Sequence, residues 1–521
     1  MKIIGFHSGH DSSFSILENG VPNLHIELER YFRKKNLVSD SVGSFLLSER
    51  ITDDMKYIAV NRICGINRYK FNESLFELEE KLKILGGSLY VTGHHQAHAA
   101  NAFFTSDFEE SIIITIDGGG IDNLEGDLVT KKLIDQESNC SLMTSFTVWH
   151  GKGNKIKPIK FIPSEYFNPG WYWYLVTRNI FGMGTWDDPR GDQAGSIMGM
   201  AALGKSDRYA HYFRNFLDVN DAEEGKIFPI GGVELIGKAN KSEQNRFDIA
   251  AALQDATEKA LFSLIEPYLN SLETNNLCLS GGTSLNCVFT GKLLDYFPGI
   301  NVFCDPIPYD AGLTLGASRY VYHHVLDHPR IYNNPRNRTP YLGKKYGRIE
   351  IQKQCDLFKD KINYKSIEDE EVIDLMINEL NVISLYGGAS ESGRRALGNR
   401  SIVADPRNIK MKDIINSKVK HRQWFRPFAP SILKEDVKDW FVHDIDSPYM
   451  SFTLKFKEGM AEKVPAVVHF DGTARLQTVK YEDNNWYYNF IKIFKAKTGI
   501  PMILNTSFND REPIVETPEH A

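Results

Sequence analysis

Two histidines four residues apart are the first residues of this chain whose types and spacing suggest chemistry. His94 and His98 stand in the run HHQAHA at 94–99. Side chains four positions apart on a helix project from one face, so both imidazoles can bind one divalent metal ion. Asp117 and Asp310, in strand-end or glycine-turn contexts, are the candidate carboxylates to complete the ligand set. The same spacing also occurs where two core histidines only satisfy polar neighbours, and spacing alone leaves both interpretations open.

A second group of chemically active side chains directly follows the first predicted strand. His10, Asp11 and the pair Ser12-Ser13 can present an imidazole, a carboxylate and a hydroxyl to a phosphate or acyl group. On these residues alone, a turn that uses Asp and Ser only to satisfy backbone amides is the simpler explanation.

Three loops that each follow a predicted strand occur in a characteristic order, at 11–13 (DSS), 117–120 (DGGG) and 280–282 (SGG). The order matches the two phosphate-facing turns and one adenosine-facing turn of the actin-like ATPase fold. Glycines allow a nucleotide to approach the backbone and offer N–H donors to its oxygens. The candidate nucleotide-binding residues are Ser12, Gly118, Gly119, Gly281, Gly282 and Asn286.

A basic segment lies in the second half of the chain. Residues 394–426 contain ten Lys or Arg against two Asp, a local balance of +8 in a chain whose net charge is −6. Such a cluster suits small phosphorylated anions or a nucleic-acid backbone, whereas a solvated basic face is the plainer alternative. Asn399 and the aromatic run at 424–428 (WFRPF) fit a solvated face less well.

One match to a known phosphate-binding pattern is interpreted as coincidence. Residues 199–206 (GMAALGKS) fit G-x-x-x-x-G-K-S. That motif needs a strand before its first glycine, whereas the Ala, Met and Leu at 194–203 predict a helix.

The aromatic run at 171–174 (WYWY) also has two interpretations. It can stack on a sugar or a base, but aromatic runs more often pack in protein cores. Core packing is therefore our prediction.

The elements that must position these residues follow an α/β pattern. Residues 3–6, 13–17 and 24–28 predict three antiparallel strands, with Asn19-Gly20 as a hairpin turn. We expect a helix at 73–85, a strand at 88–92, a helix from His94 and a strand at 112–116 ending in the glycine turn. A helix at 246–269, a strand at 277–279 and a helix at 285–294 follow.

The connector at about 328–348 is rich in Pro and Asn and places a domain boundary near 345. The second half then restarts with a helix at 370–380 and a strand at 382–386. We therefore expect two domains, 1–345 and 346–521.

Composition restricts the classes of protein further. A chain of 521 residues can bury a large core, and a net charge of −6 argues against a surface built mainly for nucleic acid or anionic lipid. The six cysteines include no C-x-x-C pair, which predicts free thiols in a reducing compartment. No signal-peptide or membrane-spanning pattern is evident, so we expect a cytoplasmic protein without a membrane partner.

Several motifs, taken in order, resemble those of the ATP-dependent O-carbamoyltransferases of antibiotic and nodulation-factor biosynthesis. In the first half they are 94–99 (HHQAHA), 117–119 (DGG), 198–201 (MGMA), 280–286 (SGGTSLN) and 310–312 (DAG). In the second half they are 395–402 (RALGNRSI), 404–407 (ADPR), 426–430 (RPFAP), 471–479 (DGTARLQTV) and 504–509 (LNTSFN). The resemblance covers essentially the whole chain.

The resemblance implies an actin-like ATPase (ASKHA) N-terminal domain of two subdomains, similar to that of tRNA threonylcarbamoyl transferases, and a YrdC-like α/β C-terminal domain. It implies that carbamoyl phosphate and ATP form carbamoyl-adenylate in the C-terminal domain. The carbamoyl group then passes to a hydroxyl of a small-molecule acceptor in the N-terminal domain. ATP would bind with Mg, and the N-terminal domain would hold Fe(II) or another divalent metal.

By motif position, the resemblance also assigns roles to residues. Those that would hold carbamoyl phosphate are Arg395, Lys420, Arg426, Arg475 and Arg511. His94, His98 and Asp310 would bind the metal, with Asp117 as a catalytic residue beside it. His10 would be the base for the acceptor hydroxyl, oriented by Asp11.

Three departures from the family pattern limit this transfer of roles. Ser196 stands where Lys is common, Ser392-Gly393-Arg394 replaces Phe-Gly-Pro, and no glycine lies between Arg511 and Glu512. Relatives continue into a final helix beyond the equivalent of Ala521, which suggests a truncated or naturally shortened chain.

Two other functions are compatible with parts of the sequence. The same activation could serve a hydroxymethylated DNA base as acceptor, although the net charge of −6 counts against nucleic acid. An actin-like nucleotide-binding switch or assembly protein would need no second phosphate site, and the basic segment at 394–426 argues against it. The oligomeric state is open, and a homodimer is compatible with the sequence.

Overall fold

The computed structural model describes residues 1–38, 57–61, 79–123, 141–184, 193–213, 232–271, 274–379 and 381–521. They form two compact units. Unit 1 comprises Met1–Asn286 and Leu293–Arg338, and unit 2 comprises Cys287–Lys292 and Thr339–Ala521. The domain limits at 345 and 346 stay a prediction.

The first sheet of unit 1 confirms the predicted opening of the fold. Its strands are β1 (Lys2–His7), β2 (Ser13–Glu18), β3 (Val21–Glu27), β4 (Tyr57–Asn61) and β5 (Ser88–Thr92), in the order β3-β2-β1-β4-β5. The first three are antiparallel, whereas β4 and β5 run parallel to β1. Asn19 and Gly20 both have positive φ, 50° and 81°, as their two-residue hairpin turn requires.

The second sheet of unit 1 repeats this topology. Its strands are β6 (Glu110–Asn123), β7 (Ser141–Lys152), β8 (Lys155–Pro163), β9 (Asn276–Ser280) and β10 (Asn301–Cys304), in the order β10-β9-β6-β7-β8. Again three antiparallel strands are followed by two parallel ones. This duplication is the architecture expected of an actin-like domain with two subdomains.

The prediction that a strand ends at Ile116 in a glycine turn is wrong. β6 continues to Asn123, and its pairing with β7 steps from Ile116–Phe146 to Gly120–Thr144. Four residue steps on β6 therefore face only two on β7, so the segment with Asp117 bulges out of the ladder. Glycine permits this bulge, since Gly119 has φ +133°.

The helices of unit 1 pack around these two sheets. They are α1 (Leu28–Phe32), α2 (His94–Thr105), α3 (Pro169–Leu175), α4 (Ala194–Ala201), α5 (Gly232–Ala239), α6 (Glu243–Ser271), α7 (Cys287–Tyr296, shared with unit 2), α8 (Leu313–Arg319) and α9 (Pro335–Arg338). The predicted helix at 73–85 is described only over 79–84, and residues 73–78 lie outside the described part.

Helix α2 is the buried centre of unit 1. All twelve of its residues are buried, and the side chain of Gln96 accepts a hydrogen bond from the Gly93 N–H at the helix start (3.1 Å). A Cβ at Gly316 of α8 would lie 2.0 Å from the Ala97 carbonyl oxygen of α2. The two helices therefore pack backbone to backbone, with Asp310 just before α8.

Unit 2 is built on one six-stranded sheet. Its strands are β11 (Ile383–Tyr386), β12 (Arg400–Ala404), β13 (Ala429–Leu433), β14 (Phe452–Lys455), β15 (Thr473–Val479) and β16 (Met502–Ser507), in the order β11-β12-β16-β13-β15-β14. Its helices are α10 (Arg348–Leu357), α11 (Asp369–Asn378), α12 (Lys410–Ile414), α13 (Val437–Trp440) and α14 (Asn485–Thr498). The predicted helix at 370–380 and strand at 382–386 are confirmed as α11 and β11.

Three smaller predictions have mixed outcomes. The phosphate-loop match is a coincidence, because Gly199 lies inside α4. Tyr172 and Trp173 pack in the core, but core packing is wrong for Trp171, which is 44% exposed. The described cysteines, Cys278, Cys287, Cys304 and Cys355, are free thiols, whereas Cys64 and Cys140 lie outside the described residues.

No helix in the described part of the chain is both long enough and apolar enough to span a membrane.

Gly316→Ala should destabilise unit 1, because the new methyl group would overlap the Ala97 carbonyl. We expect the free energy of unfolding to fall by about 1–3 kcal/mol in denaturant titrations. Gly237→Ala in α5 is the matched control, since no atom lies within 4 Å of its Cβ position. It should be neutral or stabilising by up to about 1 kcal/mol. Equal effects of the two substitutions would contradict the close α2–α8 contact.

Candidate functional site

The structure brings the two predicted histidines together with Asp117. Nε2 of His94 and Nε2 of His98 lie 2.9 Å and 3.2 Å from the same Oδ2 atom of Asp117. The imidazoles come from one face of α2, as the spacing predicted, and the carboxylate comes from the bulge of β6. Because the bulge projects Asp117 out of the ladder, the side chain reaches the helix.

Asp310 completes the group from the turn before α8. Its Oδ1 atom lies 3.7 Å from Nε2 of His94 and 3.8 Å from Nε2 of His98. The four candidate ligand atoms, from His94, His98, Asp117 and Asp310, all lie within 4.8 Å of one another. Two imidazole nitrogens and two carboxylate oxygens form a donor set that can hold a divalent metal ion.

The turn that carries Asp310 is fixed by the first sheet. The carbonyl of Ala311 accepts a hydrogen bond from the Ser13 hydroxyl (2.8 Å) and lies 2.7 Å from Nε2 of His25. On the opposite side, a Cβ at Gly120 would lie 2.0 Å from Cγ of His94. Glycine is therefore required where β6 passes behind the imidazole.

The carboxylates and His98 of this cluster stabilise one another's charged forms. Burial opposes ionisation of Asp117, but hydrogen bonds from His94 and His98 hold its pKa well below the usual value. Burial likewise opposes the charged form of His98, yet Asp117 and Asp310 raise its pKa to about 9. The carboxylates therefore remain ionised and attract positive charge, which is the condition for binding a metal cation.

His10 lies at the solvent-facing side of the same group. Its Nε2 atom is 3.2 Å from Oδ2 of Asp310, and its Nδ1 atom is 3.1 Å from Oδ2 of Asp11. The His10 side chain is 54% exposed, and the Asp310 carboxylate raises its pKa to about 10. Asp11 is buried and has a left-handed backbone with φ 59°. Such conformations recur where a side chain must be aimed precisely at a functional site.

Sequence reasoning missed two residues that support this region. The side-chain amide of Asn36 donates to Oδ1 of Asp11 (3.0 Å). Asp305 accepts a hydrogen bond from the Ser280 hydroxyl (2.8 Å), and this hydroxyl lies 3.4 Å from Nδ1 of His98. Neither residue belongs to a recognisable motif, because their roles depend on contacts between segments far apart in the chain.

Of the three loops predicted to bind a nucleotide, those at 117–120 and 280–282 contact each other. The Ser12 hydroxyl is buried and donates to the Gly9 carbonyl (2.6 Å), so it points into the protein. A Cβ at Gly281 would lie 2.2 Å from the Ile116 carbonyl oxygen. The N–H groups of Gly118 and Gly282 donate to Oδ1 of Asp117, at 2.7 Å and 3.3 Å.

The two remaining predicted nucleotide-binding residues are placed as follows. Gly119 lies in the β6 bulge, where a Cβ would be 3.1 Å from the Ser164 hydroxyl. The amide of Asn286 pairs with that of Gln254 on α6 (2.9 and 3.1 Å).

Unit 2 contains a cluster of guanidinium groups. Burial and the neighbouring Arg475 lower the pKa of Arg395 to about 9, with further contributions from Arg394 and Arg426. Burial, Arg426 and Arg475 lower that of Arg422 well below its usual value. Guanidinium groups that lower one another's pKa repel each other, and a phosphate anion bound among them would relieve that repulsion because its oxygens pair well with guanidinium groups. Three of the five predicted carbamoyl-phosphate residues therefore lie together, namely Arg395, Arg426 and Arg475.

The other two predicted residues are placed differently. The ammonium group of Lys420 is buried and donates to the main-chain oxygens of Ser507 (2.9 Å) and Asn509 (2.6 Å) and to their side chains. In this arrangement it holds the loop after β16. Arg511 is exposed in the segment that follows this loop.

A buried group with two imidazoles and two carboxylates, together with a guanidinium cluster, is typical of enzymes that handle phosphorylated substrates. Comparison with known proteins gives the family. Residues 28–319 match the model described as "Carbamoyltransferase N-terminus", and residues 375–521 match "Carbamoyltransferase C-terminus". The chain belongs to the carbamoyltransferase family, and it is a transferase.

The chain is also similar to individual proteins. The chain is 34% identical to Nodulation protein NolO of Bradyrhizobium diazoefficiens over 81% of this chain and 74% of that protein. It is 29% identical to the uncharacterized protein MJ1051 of Methanocaldococcus jannaschii over 98% of this chain and 94% of that protein. Among solved structures, HypF of T. kodakarensis aligns with a TM-score of 0.32 and 13% identity, over 61% of this chain and 48% of that one.

The crowding of guanidinium groups predicts that a phosphate anion stabilises the protein, because it neutralises their repulsion. We expect inorganic phosphate to raise the melting temperature more than sodium chloride at equal ionic strength. Arg475→Gln should reduce this phosphate-dependent rise, whereas Arg348→Gln, on the exposed start of α10, should preserve it. An identical phosphate response in both variants would contradict a common anion site around Arg475.

Proposed function

We propose that this chain is an ATP-dependent O-carbamoyltransferase that activates carbamoyl phosphate in unit 2 and transfers the carbamoyl group in unit 1. The convergence of Arg395, Arg426 and Arg475 is the observation that carries the proposal. A carbamoyltransferase of actin-like fold that acted only on a preformed carbamoyl donor would need no such second anion site. The expected acceptor is the hydroxyl group of a small molecule.

In the activation step, carbamoyl phosphate, ATP and water give carbamoyl-adenylate, phosphate and pyrophosphate. Water first attacks the phosphorus of carbamoyl phosphate, and the bond from that phosphorus to the carbamoyl oxygen breaks to give phosphate and carbamate. A carbamate oxygen then attacks the α-phosphorus of ATP, and the bond from the α-phosphorus to the oxygen that bridges it to the β-phosphorus breaks, which releases pyrophosphate. Negative charge accumulates on phosphate oxygens at both stages. The guanidinium groups of Arg395, Arg426 and Arg475 bind these oxygens and stabilise the developing charge.

ATP enters this reaction with Mg, which shields its phosphate charges. Lys420 and Arg511 are proposed as further contacts for carbamoyl phosphate. Lys420 would have to exchange its bonds to Ser507 and Asn509 for bonds to the substrate. In unit 1, the residues proposed to contact the adenylate are Ser12, Gly118, Gly119, Gly281, Gly282 and Asn286. The N–H groups of Gly118 and Gly282 would have to exchange their bonds to Asp117 for bonds to the adenylate.

The cluster in unit 1 fits a divalent metal ion, with Fe(II) as the expected metal. His94, His98 and Asp310 would hold it, and Asp117 is close enough to be a fourth ligand. The fit rests on the ionised state of both buried carboxylates, whose pKa values are lowered despite burial. A metal ion there supplies a Lewis acid that polarises the carbamoyl carbonyl or the departing AMP.

The transfer step needs a base for the acceptor hydroxyl, and His10 is the proposed base. With Asp310 ionised, the pKa of His10 is raised to about 10, which favours the protonated imidazolium. A cation held by His94, His98 and Asp310 would offset the negative charge of Asp310 and so lower the pKa of His10, and the base role of His10 requires its neutral form. Asp11 orients the ring through its contact with Nδ1. AMP leaves as the hydroxyl oxygen bonds to the carbamoyl carbon.

The activation step predicts pyrophosphate release without any acceptor. With Mg and Fe(II) supplied, purified protein should release pyrophosphate from ATP only when carbamoyl phosphate is also present. Arg426→Ala should lower this rate by roughly 100-fold or more, because it removes a charged contact to a developing oxyanion. Arg348→Ala on exposed α10 is the matched control and should leave the rate unchanged.

The other outcomes separate the alternative functions. Release of phosphate from ATP alone, or ATP binding without turnover, would favour a nucleotide-dependent switch over a carbamoyltransferase of this mechanism. If carbamoyl-phosphate-dependent pyrophosphate release is observed, the next experiment screens candidate acceptors for carbamoyl transfer. Labelled carbamoyl transfer to hydroxymethylated DNA, but to no small hydroxylated compound, would overturn the proposed acceptor class.

The metal assignment predicts one tightly bound divalent ion in unit 1. In equilibrium dialysis with Fe(II) under anaerobic conditions, His98→Ala and Asp310→Asn should weaken binding by roughly tenfold or more, because each removes a ligand. His150→Ala is the control, since His150 pairs with Glu110 outside the group. If His98→Ala bound Fe(II) with unchanged affinity, the metal site would have to lie elsewhere in the protein.

A further inference from the structure

A line of buried polar side chains crosses the sheet of unit 2. Ser431 on β13, Gln477 on β15 and Asn505 on β16 are each at most 2% exposed. They occupy three adjacent strands, since β13 lies between β16 and β15. Apolar residues normally fill the buried face of a sheet, so a polar group there must be hydrogen-bonded to avoid a large desolvation cost.

These three side chains hydrogen-bond to one another, although Oδ1 of Asn505 is buried without a partner among the residues that the structure describes. The Ser431 hydroxyl donates to Oε1 of Gln477 (2.7 Å), and the Asn505 amide donates to the same Oε1 atom (3.1 Å) and to the Ser431 hydroxyl oxygen (3.0 Å). Ser431 and Gln477 are also direct partners in the parallel pairing of β13 and β15. The orientation of each amide is therefore fixed by its neighbours rather than by solvent.

Both amide groups of the network also donate to the segment that carries Arg395, and the Asn505 amide shares its two N–H groups among three acceptors. The Asn505 amide donates to the Ala396 carbonyl (3.0 Å), and the Gln477 amide donates to the Leu397 carbonyl (2.9 Å). Two successive carbonyls are thus held directly after Arg395. Main-chain contacts of this kind fix the backbone of a loop without contacting the side chain that it presents.

The same strand supplies a second member of the guanidinium cluster. Arg475 precedes Gln477 by two residues on β15, so both side chains lie on one face of the sheet. The Nε atom of Arg475 is buried and has no hydrogen-bond partner among the residues that the structure describes. An N–H group buried in this way is available to a bound anion.

Holding Arg395 next to Arg475 opposes their mutual repulsion, which acts continuously when no anion is bound. A loop without internal support would relieve that repulsion by moving Arg395 away. The free energy of anion binding would then be less favourable, because the loop would have to return Arg395 to its place beside Arg475. A rigid attachment of the loop to the sheet removes that cost in advance.

We infer that Gln477 and Asn505 are positioning residues that hold the Arg395 loop in its anion-binding geometry by its Ala396 and Leu397 carbonyls. The inference deepens the proposed function and rests on its assignment of carbamoyl phosphate to Arg395. Neither amide contacts the substrate. Their effect is on where the guanidinium of Arg395 lies relative to that of Arg475.

The test compares two substitutions in the polar network, on β15 and β16, with one on the opposite face of β15. Gln477→Met keeps the side-chain length but removes the donor to the Leu397 carbonyl, and Asn505→Ser shortens the donor to the Ala396 carbonyl. Thr478→Val is the matched control, because Thr478 is also buried on β15 but bonds to Asp446 and Ser447. All three variants lose a buried hydrogen bond, so all three should lose some thermal stability.

Steady-state pyrophosphate release then separates positioning from stability. For Gln477→Met and Asn505→Ser we expect the KM for carbamoyl phosphate to rise by roughly tenfold or more, with the KM for ATP within about twofold of the wild type. Thr478→Val should leave both values unchanged. Equal rises in both KM values, or an effect of Thr478→Val as large as that of Gln477→Met, would overturn the inference. If Gln477→Met does not fold, Asn505→Ser alone decides between these outcomes.

A direct binding measurement separates failure of this inference from failure of the proposed function. Wild-type protein that releases no carbamoyl-phosphate-dependent pyrophosphate would contradict the proposed function. Calorimetric titration with pyrophosphate still reports on the guanidinium cluster in that case. Weaker pyrophosphate binding in Gln477→Met and Asn505→Ser than in Thr478→Val supports the positioning role, and equal binding in all three variants refutes it.

Discussion

Both candidate sites depend on holding like charges close together inside a folded unit. In unit 1, Asp117 and Asp310 surround the same two imidazoles of α2. In unit 2, Arg395 lies close enough to Arg475 for its pKa to fall. Repulsion between such groups favours any conformation that separates them, so the surrounding backbone must be rigid. Much of the architecture described above provides that rigidity.

The two units meet this requirement by different means. Unit 1 uses close backbone packing, since Gly316 brings α8 against α2 and Gly120 makes room for His94. Each carboxylate then comes from a separate segment, Asp117 from the β6 bulge and Asp310 from the turn before α8. Unit 2 instead uses buried amides, because Gln477 and Asn505 bond to main-chain carbonyls. Close packing at a glycine fixes the position of a whole helix or strand, whereas a hydrogen bond from a buried side-chain amide fixes the backbone of a single loop.

Sequence patterns predicted those features that depend on local periodicity. The four-residue spacing placed His94 and His98 on one face of a helix, and Asn19-Gly20 gave the first hairpin. The β6 bulge was not predictable, because glycines at 118–120 are as compatible with a turn as with a bulge. The hydroxyl of Ser12 donates to the main-chain oxygen of Gly9. The ammonium group of Lys420 donates to the main-chain oxygens of Ser507 and Asn509. Motif position alone does not reveal such contacts.

The opposite charges of the two clusters explain why one chain needs two sites. Under the proposed function, the carboxylates of unit 1 attract a cation and would repel the dianion carbamoyl phosphate. The guanidinium groups of unit 2 attract that dianion but would exclude a divalent metal from their midst. The proposed activation of a phosphorylated donor and the proposed metal-assisted transfer to a hydroxyl need different electrostatic environments, and the two clusters differ in charge in the way that this proposal requires.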